Sequence, residues 1–286
     1  MFLEYLCHYT NAKKAKLILE KMTLKFGKVS KSNDPIEIKI FTAFLPYNDI
    51  EKEILEENRI KKQLKLYLNK ILQLICFSEG DIRNIKGDID DDGEEIDIKD
   101  DIIDAAKLED FSKRPPYYLP RMWSQYGDNH KGVCFIFNKD KLIDQVDEQS
   151  KSLCNFKHKY ISYKDILKDD IFLNQAVSLL YSYVDVSKNI ETFVQDYLIN
   201  NNDLNYFTKD IDWKDEHEYR FLLWNMIKNK DYNNKIIHID NKSLIGIVLG
   251  LCNDKVQCFA EVALKQSIKN IFKLKNEDSF IGLYKL

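Results

Sequence analysis

The segment from Glu216 to Trp224 restricts the fold of this chain more than any other, because its composition fits a partly buried β-strand. Aromatic and aliphatic residues dominate it, and neither proline nor glycine interrupts it. Side chains alternate between the two faces of a strand. One face is predicted to carry the charged residues Glu216, Glu218 and Arg220. The other face is predicted to meet the core through His217, Tyr219 and Phe221.

The composition allows a folded core and argues against two classes of function. The chain has 286 residues, of which 44% are hydrophobic, and this is enough for one large domain. A net charge of −3 gives no global basic field that would attract nucleic acid. No apolar run approaches the roughly 20 residues that a membrane span needs, and no signal peptide is recognised at the start. We therefore expect a cytoplasmic protein that does not enter membranes.

Apolar periodicity predicts short strands that are mixed irregularly with helices. Strands are predicted at residues 23–26, 75–78, 132–137, 160–163, 236–239, 244–250, 270–274 and 280–286. Helices are predicted after Thr10 or Asn11, at 119–126, 171–198 and 256–267, and a linker is predicted to follow the strand at 132–137. This order predicts a single α+β domain over residues 1–286, with a mainly antiparallel sheet and flanking helices.

Residues 79–112 are predicted to form a long acidic insertion. Between Glu79 and Asp110 there are 14 acidic and 4 basic residues, and such a block is typical of a solvated loop. A calcium-like pattern begins at Asp88, but its twelfth position is Lys99, where a calcium loop needs Glu. The six cysteines show no CxxC spacing. We therefore expect no bound metal.

Three interpretations of the charged row at 216–220 remain open on the residues alone. The row is an exposed strand face of alternating charge, or an active-site carboxylate pair oriented by Arg220. The third interpretation is a divalent metal site completed by carboxylates such as Asp34 and Glu37.

Two further groups of residues are candidates for binding. His8 and Thr10 share one face of a predicted strand beside a helix N-terminus, which can bind anions. The alternative is that Thr10 caps the helix and His8 hydrogen-bonds in the core. Trp123, Tyr126 and His130 lie within eight residues and suit a ring-stacking pocket, unless the first two simply pack inward.

Short motifs occur in one order along nearly the whole chain. They are His8-Tyr9-Thr10, Leu24-Lys25-Phe26, Asn33-Asp34-Pro35 with Glu37, Cys76-Phe77-Ser78-Glu79, Met122-Trp123-Ser124-Gln125-Tyr126 with His130 and Gly132, Trp213 with Glu216-His217-Glu218-Tyr219-Arg220, and Ile247-Val248-Leu249-Gly250. In this order they resemble a bacterial family known as domain of unknown function 2971. The acidic segment is longer than the usual connection in that family, and the family does not by itself name an activity.

A second, more distant resemblance is to ADP-ribosyltransferase-like proteins. These proteins often begin with a His-x-Thr strand and a helix, place an aromatic residue in the middle, and carry Glu on a late strand. The chain has His8-Tyr9-Thr10, Tyr126 and Glu216-His217-Glu218 in that order. The resemblance implies a sheet of ADP-ribosyltransferase type and NAD as the substrate.

The same resemblance implies roles for individual residues. Cleavage of the nicotinamide–ribose bond builds positive charge on the ribose, and a fixed carboxylate stabilises that charge. Glu218 would be this catalytic carboxylate, Glu216 would orient the acceptor or the ribose, and Tyr126 would cover nicotinamide. All of them are expected to line one cleft with the residues that would bind the dinucleotide: His8, Tyr9, Thr10, Ser78, Trp123, His130 and Arg220.

The sequence thus predicts an enzyme that transfers ADP-ribose from NAD to a macromolecule or hydrolyses NAD, in a toxin or phage-defence setting. A nucleotide and an unidentified acceptor are the expected partners, and a protein partner or a homo-oligomer remains open. One alternative is a non-enzymatic sensor or partner-binding protein of a defence system. Another is a metal-dependent nuclease or phosphodiesterase built on Asp34, Glu37, Glu216 and Glu218. The strand next to Glu218, however, shows no lysine to complete the usual nuclease pattern.

Overall fold

One large, mostly antiparallel sheet organises the chain. The computed structural model describes residues 4–29, 66, 70–80, 115–151, 154–165, 206–224, 235–276 and 281–286. Within these ranges nine strands form one open sheet, and two pairs of short strands lie apart from it. The prediction of a mixed fold with a mainly antiparallel sheet is confirmed.

The described strands and helices have the following bounds. The strands are β1 (Tyr5–Thr10), β2 (Thr23–Lys25), β3 (Gly27–Lys28), β4 (Leu72–Gly80), β5 (Val133–Asn138), β6 (Asn155–Tyr160), β7 (Ser162–Lys164), β8 (Thr208–Asp210), β9 (Glu218–Trp224), β10 (Ile236–His238), β11 (Leu244–Leu249), β12 (Ile271–Asn276) and β13 (Ile281–Lys285). The α-helices are α1 (Ala12–Lys21), α2 (Pro120–Gln125), α3 (Lys139–Ser150) and α4 (Val256–Lys265). Two 3-10 helices span Pro116–Tyr118 and Ile211–Glu216.

The strand order of the large sheet is β13-β12-β11-β5-β1-β4-β9-β6, and β3 also pairs with β4. Its parallel pair is β11 with β12, which α4 connects, since parallel strands need a crossover. The two small sheets are antiparallel β10–β2 and parallel β7–β8. The acid-bearing strand β9 therefore lies between β4 and β6 in the large sheet, next to its edge.

The two faces of the large sheet are covered differently. One face, called here the helix face, packs against α1, α3 and α4 through residues such as Leu19, Leu142 and Phe259. The other face, called here the site face, is covered in part by the segment that holds Tyr117 and Trp123. The helices α1, α3 and α4 thus provide the main core, and the short helix α2 and a 3-10 helix lie on the opposite side.

The first helix shows how the sequence fixes an element locally. Asn11 is its N-cap, and the Asn11 side chain accepts a hydrogen bond from the backbone N–H of Lys14 at 2.9 Å. Ala15 and Leu19, four residues apart, bury one face of the helix. The predicted helix after Thr10 or Asn11 is therefore present, with Asn11 as its cap.

The linker predicted after the strand at 132–137 is wrong, because α3 follows β5 directly. Asn138 caps this helix by accepting a hydrogen bond from Lys141 N–H at 3.0 Å. Its sequence is polar, and Leu142 and Val146 are its fully buried apolar residues. Two such positions give little periodicity in the sequence, and packing on the sheet supplies the stability that the isolated segment lacks.

Some predictions fall on parts of the chain that the structure does not describe. The acidic segment from residue 81 to 112, the helix over 171–198 and the carboxylates Asp34 and Glu37 lie outside the described residues. The single-domain organisation stays a prediction. Of the helices that are described, none has the length and apolar character needed to cross a membrane.

The junction between β1 and β5 gives a test of the fold. A Cβ atom at Gly132 would lie 2.1 Å from the carbonyl oxygen of Thr10 and 2.8 Å from that of Gly127. We expect Gly132→Ala to lower the free energy of unfolding by at least about 1–3 kcal/mol, because backbone must move to admit the methyl group. The matched control is Gly27→Ala, whose Cβ would meet its nearest neighbour, Leu74 O, at 3.7 Å. Urea unfolding at equal midpoints for both variants would contradict this close approach.

Candidate functional site

Four charged side chains form one buried cluster at the start of β9. Lys209 Nζ, from β8, donates hydrogen bonds to Glu216 Oε2 at 2.6 Å and to Glu218 Oε2 at 3.0 Å. Arg220 Nε donates to Glu218 Oε1 at 2.7 Å, and Arg220 Nη1 donates to the backbone oxygen of Tyr206 at 2.7 Å. None of the four is more than 5% exposed. Two cations and two anions are thus paired away from water, as buried charges must be.

The local backbone explains how both carboxylates reach the same lysine. Glu216 ends a 3-10 helix, His217 adopts a left-handed conformation with φ of 46°, and β9 begins at Glu218. The predicted strand start at Glu216 is therefore wrong, and so is the core position of His217, which is exposed. Tyr219 and Phe221 are buried in the core, as predicted.

The cluster keeps Glu218 ionised. Burial alone raises the pKa of Glu218, but the positive charges of Arg220 and Lys209 outweigh burial and lower the pKa to about 2. A hydrogen bond from Cys76 acts in the same direction. At neutral pH this carboxyl group is therefore a rigidly held anion in a site with little water.

Two tyrosines contact the acidic pair. Tyr126, just after α2, donates from its hydroxyl to Glu216 Oε1 at 2.9 Å. Burial and then the charge of Glu216 raise the pKa of the Tyr126 phenol well above its usual range. Tyr163 in β7 accepts a hydrogen bond from Glu218 N–H at 2.8 Å. The Tyr126 phenol therefore stays protonated beside an acid, where it can donate a hydrogen bond.

The cluster approaches solvent between α2 and the 3-10 helix at 211–216. Trp213 lies there with Lys209 Nζ 4.6 Å from its ring centroid and Arg121 Cζ 5.0 Å from it. Arg121 Nη1 also donates to the backbone oxygen of Asp212 at 2.8 Å. Tyr126, Arg121 and Trp213 are all partly exposed, so they form a rim around the buried charges.

His8 and Thr10 of the motif near the start of the chain lie on a different face of the large sheet from Glu218. In the register of β1, β4 and β9, Cys7 lies opposite Ser78 and Ser78 lies opposite Glu218. Strand alternation therefore puts His8 and Thr10 on the helix face, away from Glu218. His8 Nδ1 lies 3.1 Å from the Cys76 carbonyl oxygen and its ring packs on Phe77, while burial lowers the pKa of His8. The expectation that His8 and Thr10 line one cleft with Glu218 is wrong.

The remaining predicted binding residues lie on the site face or beside it. Ser78 sits directly across from Glu218, is fully buried, and its hydroxyl has no hydrogen-bond partner among the described residues. Trp123 is 1% exposed and donates from Nε1 to the carbonyl oxygen of Tyr117 at 2.8 Å. Tyr9 meets the Trp123 ring edge-on at 5.0 Å, and His130 stacks on the same ring at 5.9 Å. Trp123 therefore packs inward, and Tyr126 is the aromatic residue of its segment that reaches the acids.

Sequence reasoning missed Lys209, the residue that joins the two acids. Lys209 lies in a three-residue strand of a separate small sheet, so it is not on the strand next to Glu218 in the large sheet. The available signal was the apolar pair Tyr206-Phe207 just before it, which marks a chain segment that enters the core.

The charged cluster is not arranged as a metal site in the described part of the chain. No three His, Cys, Asp or Glu side chains come close enough there to hold an ion together. Lys209 Nζ also occupies the position between the two carboxylates where a cation would bind.

Comparison with known proteins identifies the segment that carries the cluster. A family model described as "Protein of unknown function (DUF2971)" matches residues 122–221. This segment is similar to the DUF2971 family. The resemblance predicted from the sequence is thereby confirmed over residues 122–221, and this segment contains the whole charged cluster together with Tyr126 and Tyr163. No curated protein and no solved structure matched the chain.

The cluster predicts a strong and pH-dependent effect at Lys209. We expect Lys209→Met to lower the free energy of unfolding by about 3–5 kcal/mol at pH 7, because two buried carboxylates lose their shared cation. In the wild type, Glu218 contributes stability that is present above its unfolded pKa of about 4.3 and is lost as the pH falls toward about 2. Without Lys209 the pKa of Glu218 rises, so the difference between variant and wild type should shrink at pH 4.

Urea unfolding at pH 7 and pH 4 measures this effect. The control is Lys16→Met, at a lysine on α1 that is 51% exposed and forms an ion pair with Glu20. If both variants lose the same small stability at pH 7, the buried charge pairing is not present as described.

Proposed function

We propose that this protein is a nucleotide-dependent enzyme with a sheet of ADP-ribosyltransferase type, which cleaves the nicotinamide–ribose bond of NAD. The products would be an ADP-ribosylated macromolecule or free ADP-ribose. The observation that carries the proposal is the ionised Glu218 carboxylate, held by Arg220 and Lys209 beside the Glu216–Tyr126 hydrogen bond.

The chemistry of the bond explains why such a carboxylate is useful. Loss of nicotinamide leaves positive charge on the ribose, and a negative group that is fixed before reaction stabilises that charge most effectively in a dry site. Glu218 is 5% exposed and its pKa is lowered to about 2, so it stays anionic without a shell of water. Glu218 Oε1 is engaged by Arg220 through Nε at 2.7 Å and Nη2 at 2.6 Å. We therefore propose that Oε2, which accepts from Lys209 at 3.0 Å, accepts the hydrogen bond from a ribose hydroxyl.

The groups on the site face support a ligand position different from the one expected from the sequence. His8 and Thr10 lie on the helix face, and Glu218 lies on the site face. The sheet therefore separates them, and they cannot bind the same nucleotide as Glu218. Tyr126 is partly exposed and contacts Glu216, which supports the proposal that its ring covers nicotinamide. In this proposal Glu216 orients Tyr126 and the ribose.

A second candidate function gains one observation from the structure. The nuclease or phosphodiesterase interpretation lacked a lysine near the acids, and Lys209 now contacts both of them. Its metal ligands Asp34 and Glu37 lie outside the described residues, and Lys209 takes the position of the ion. We therefore rank it second, and it predicts activity that a chelator removes.

The first test is Glu218→Gln. We expect release of nicotinamide from NAD to fall by at least about 100-fold, because the charge opposite the ribose is lost. Chromatography of labelled NAD after incubation with the protein and a cell lysate measures the release. Glu20→Gln, an exposed change on α1, serves as the control and should keep the full rate. An equal rate in Glu218→Gln, with melting curves showing both variants folded, would remove the proposed mechanism.

A second variant keeps the test decisive if Glu218→Gln is unstable. Tyr126→Phe retains the ring and removes only the hydroxyl that binds Glu216, so we expect a fold close to that of the wild type and a rate lower by at least about 10-fold. EDTA should leave the wild-type rate unchanged. Activity on nucleic acid that EDTA abolishes would favour the nuclease, and nucleotide binding without any turnover would favour a sensor.

A further inference from the structure

We infer that Arg121 and Trp213 form an anion subsite on the rim of the charged cluster, and that this subsite binds the phosphate groups of a nucleotide. The inference rests on the proposed function for the identity of the nucleotide, NAD. The location and the anionic character of the ligand follow from the side chains alone.

Arg121 has hydrogen-bond donors to spare. Both of its polar contacts in the described part of the chain use Nη1, which donates to the Asp212 carbonyl oxygen at 2.8 Å and lies 4.0 Å from Asp215 Oδ2. The Asp215 side chain is 67% exposed, and an ion pair of this length and exposure is weak. Nε and Nη2 of Arg121 therefore meet no protein acceptor among the described residues.

The guanidinium group is also held in place before any ligand arrives. Its Cζ lies 5.0 Å from the Trp213 ring centroid, and the bond to the Asp212 carbonyl fixes one edge of its plane. A planar guanidinium with a free edge matches two phosphate oxygens at once, and it is less strongly hydrated than an ammonium group. The Arg121 side chain is 32% exposed, so this edge can be reached from solvent.

Trp213 connects this subsite to the carboxylates. Lys209 and Arg121 both lie within 5.0 Å of the same ring centroid, so the two cations are less than about 10 Å apart. Lys209 in turn binds Glu216 and Glu218. The phosphates of a nucleotide are one ribose away from its glycosidic bond, so a ligand with phosphate at Arg121 can present that bond to Glu218.

Calorimetric titration with ADP-ribose and with adenosine tests the subsite, because only the first ligand carries phosphate. We expect Arg121→Gln to weaken ADP-ribose binding by about tenfold or more, since charge-assisted bonds to phosphate are lost. Adenosine binding should not change. The ADP-ribose affinity of Arg121→Lys should lie between those of the wild type and Arg121→Gln, because the charge remains but the planar guanidinium is lost. Lys16→Gln, which removes a more exposed cation from α1, should match the wild type.

The possible results separate this inference from the proposed reaction. Equal ADP-ribose affinity in wild type and Arg121→Gln overturns the subsite, and so does a wild type that shows no saturable ADP-ribose binding. Equal loss for adenosine and ADP-ribose also overturns it, because such a loss reflects structure and not phosphate recognition. If ADP-ribose binding depends on Arg121 but the wild type releases no nicotinamide from NAD, the subsite stands and the proposed reaction fails.

Discussion

The hydrogen bonds from Lys209 to Glu216 and Glu218 are the interaction on which the site depends. They connect three segments that differ in structure: a short strand of a small sheet, a 3-10 helix and the start of β9. A buried ion cluster of this kind contributes little net stability when complete, because desolvation offsets attraction, yet removing one member is costly. Its value lies in position, since it holds two carboxylates side by side in one arrangement and keeps Glu218 charged.

The position of that cluster follows from the different structures that cover the two faces of the sheet. The helix face is closed by α1, α3 and α4 over an apolar core, in which the buried pair of Lys139 and Glu79 meets at 2.8 Å. The site face is covered by turns, short helices and the β7–β8 pair, whose free carbonyl groups and polar side chains can satisfy buried charges. Arg220 shows this directly, because its guanidinium donates to the carbonyl oxygen of Tyr206, two residues before β8.

The sequence predicts what depends on local pattern and misses what depends on tertiary contacts. The alternation of Glu218 and Arg220 with Tyr219 and Phe221 follows from the geometry of a strand and is present in the structure. The face occupied by His8 depends on the register between β1 and β4, and a shift of one residue would reverse it, so pattern alone could not decide.

Lys209 and His217 illustrate the same limit at the site itself. Lys209 becomes important only through a contact made by a three-residue strand that carries no periodic signal. His217 delays the start of β9 to Glu218 by adopting a left-handed conformation with φ of 46°. Histidine is enriched in this conformation but adopts it in a small minority of cases, so the residue type alone did not predict it.

The small size of the β7–β8 pair has a consequence for motion. Each strand has three residues and neither joins the large sheet, so the pair can separate from its surroundings at a lower free energy than global unfolding requires. Lys209 lies in β8 and Tyr163 lies in β7, and both side chains contact Glu218. Amide protons of this pair should therefore exchange with solvent before those of β4 and β9. Each such opening would also break the hydrogen bonds from Lys209 to Glu216 and Glu218 for a short time.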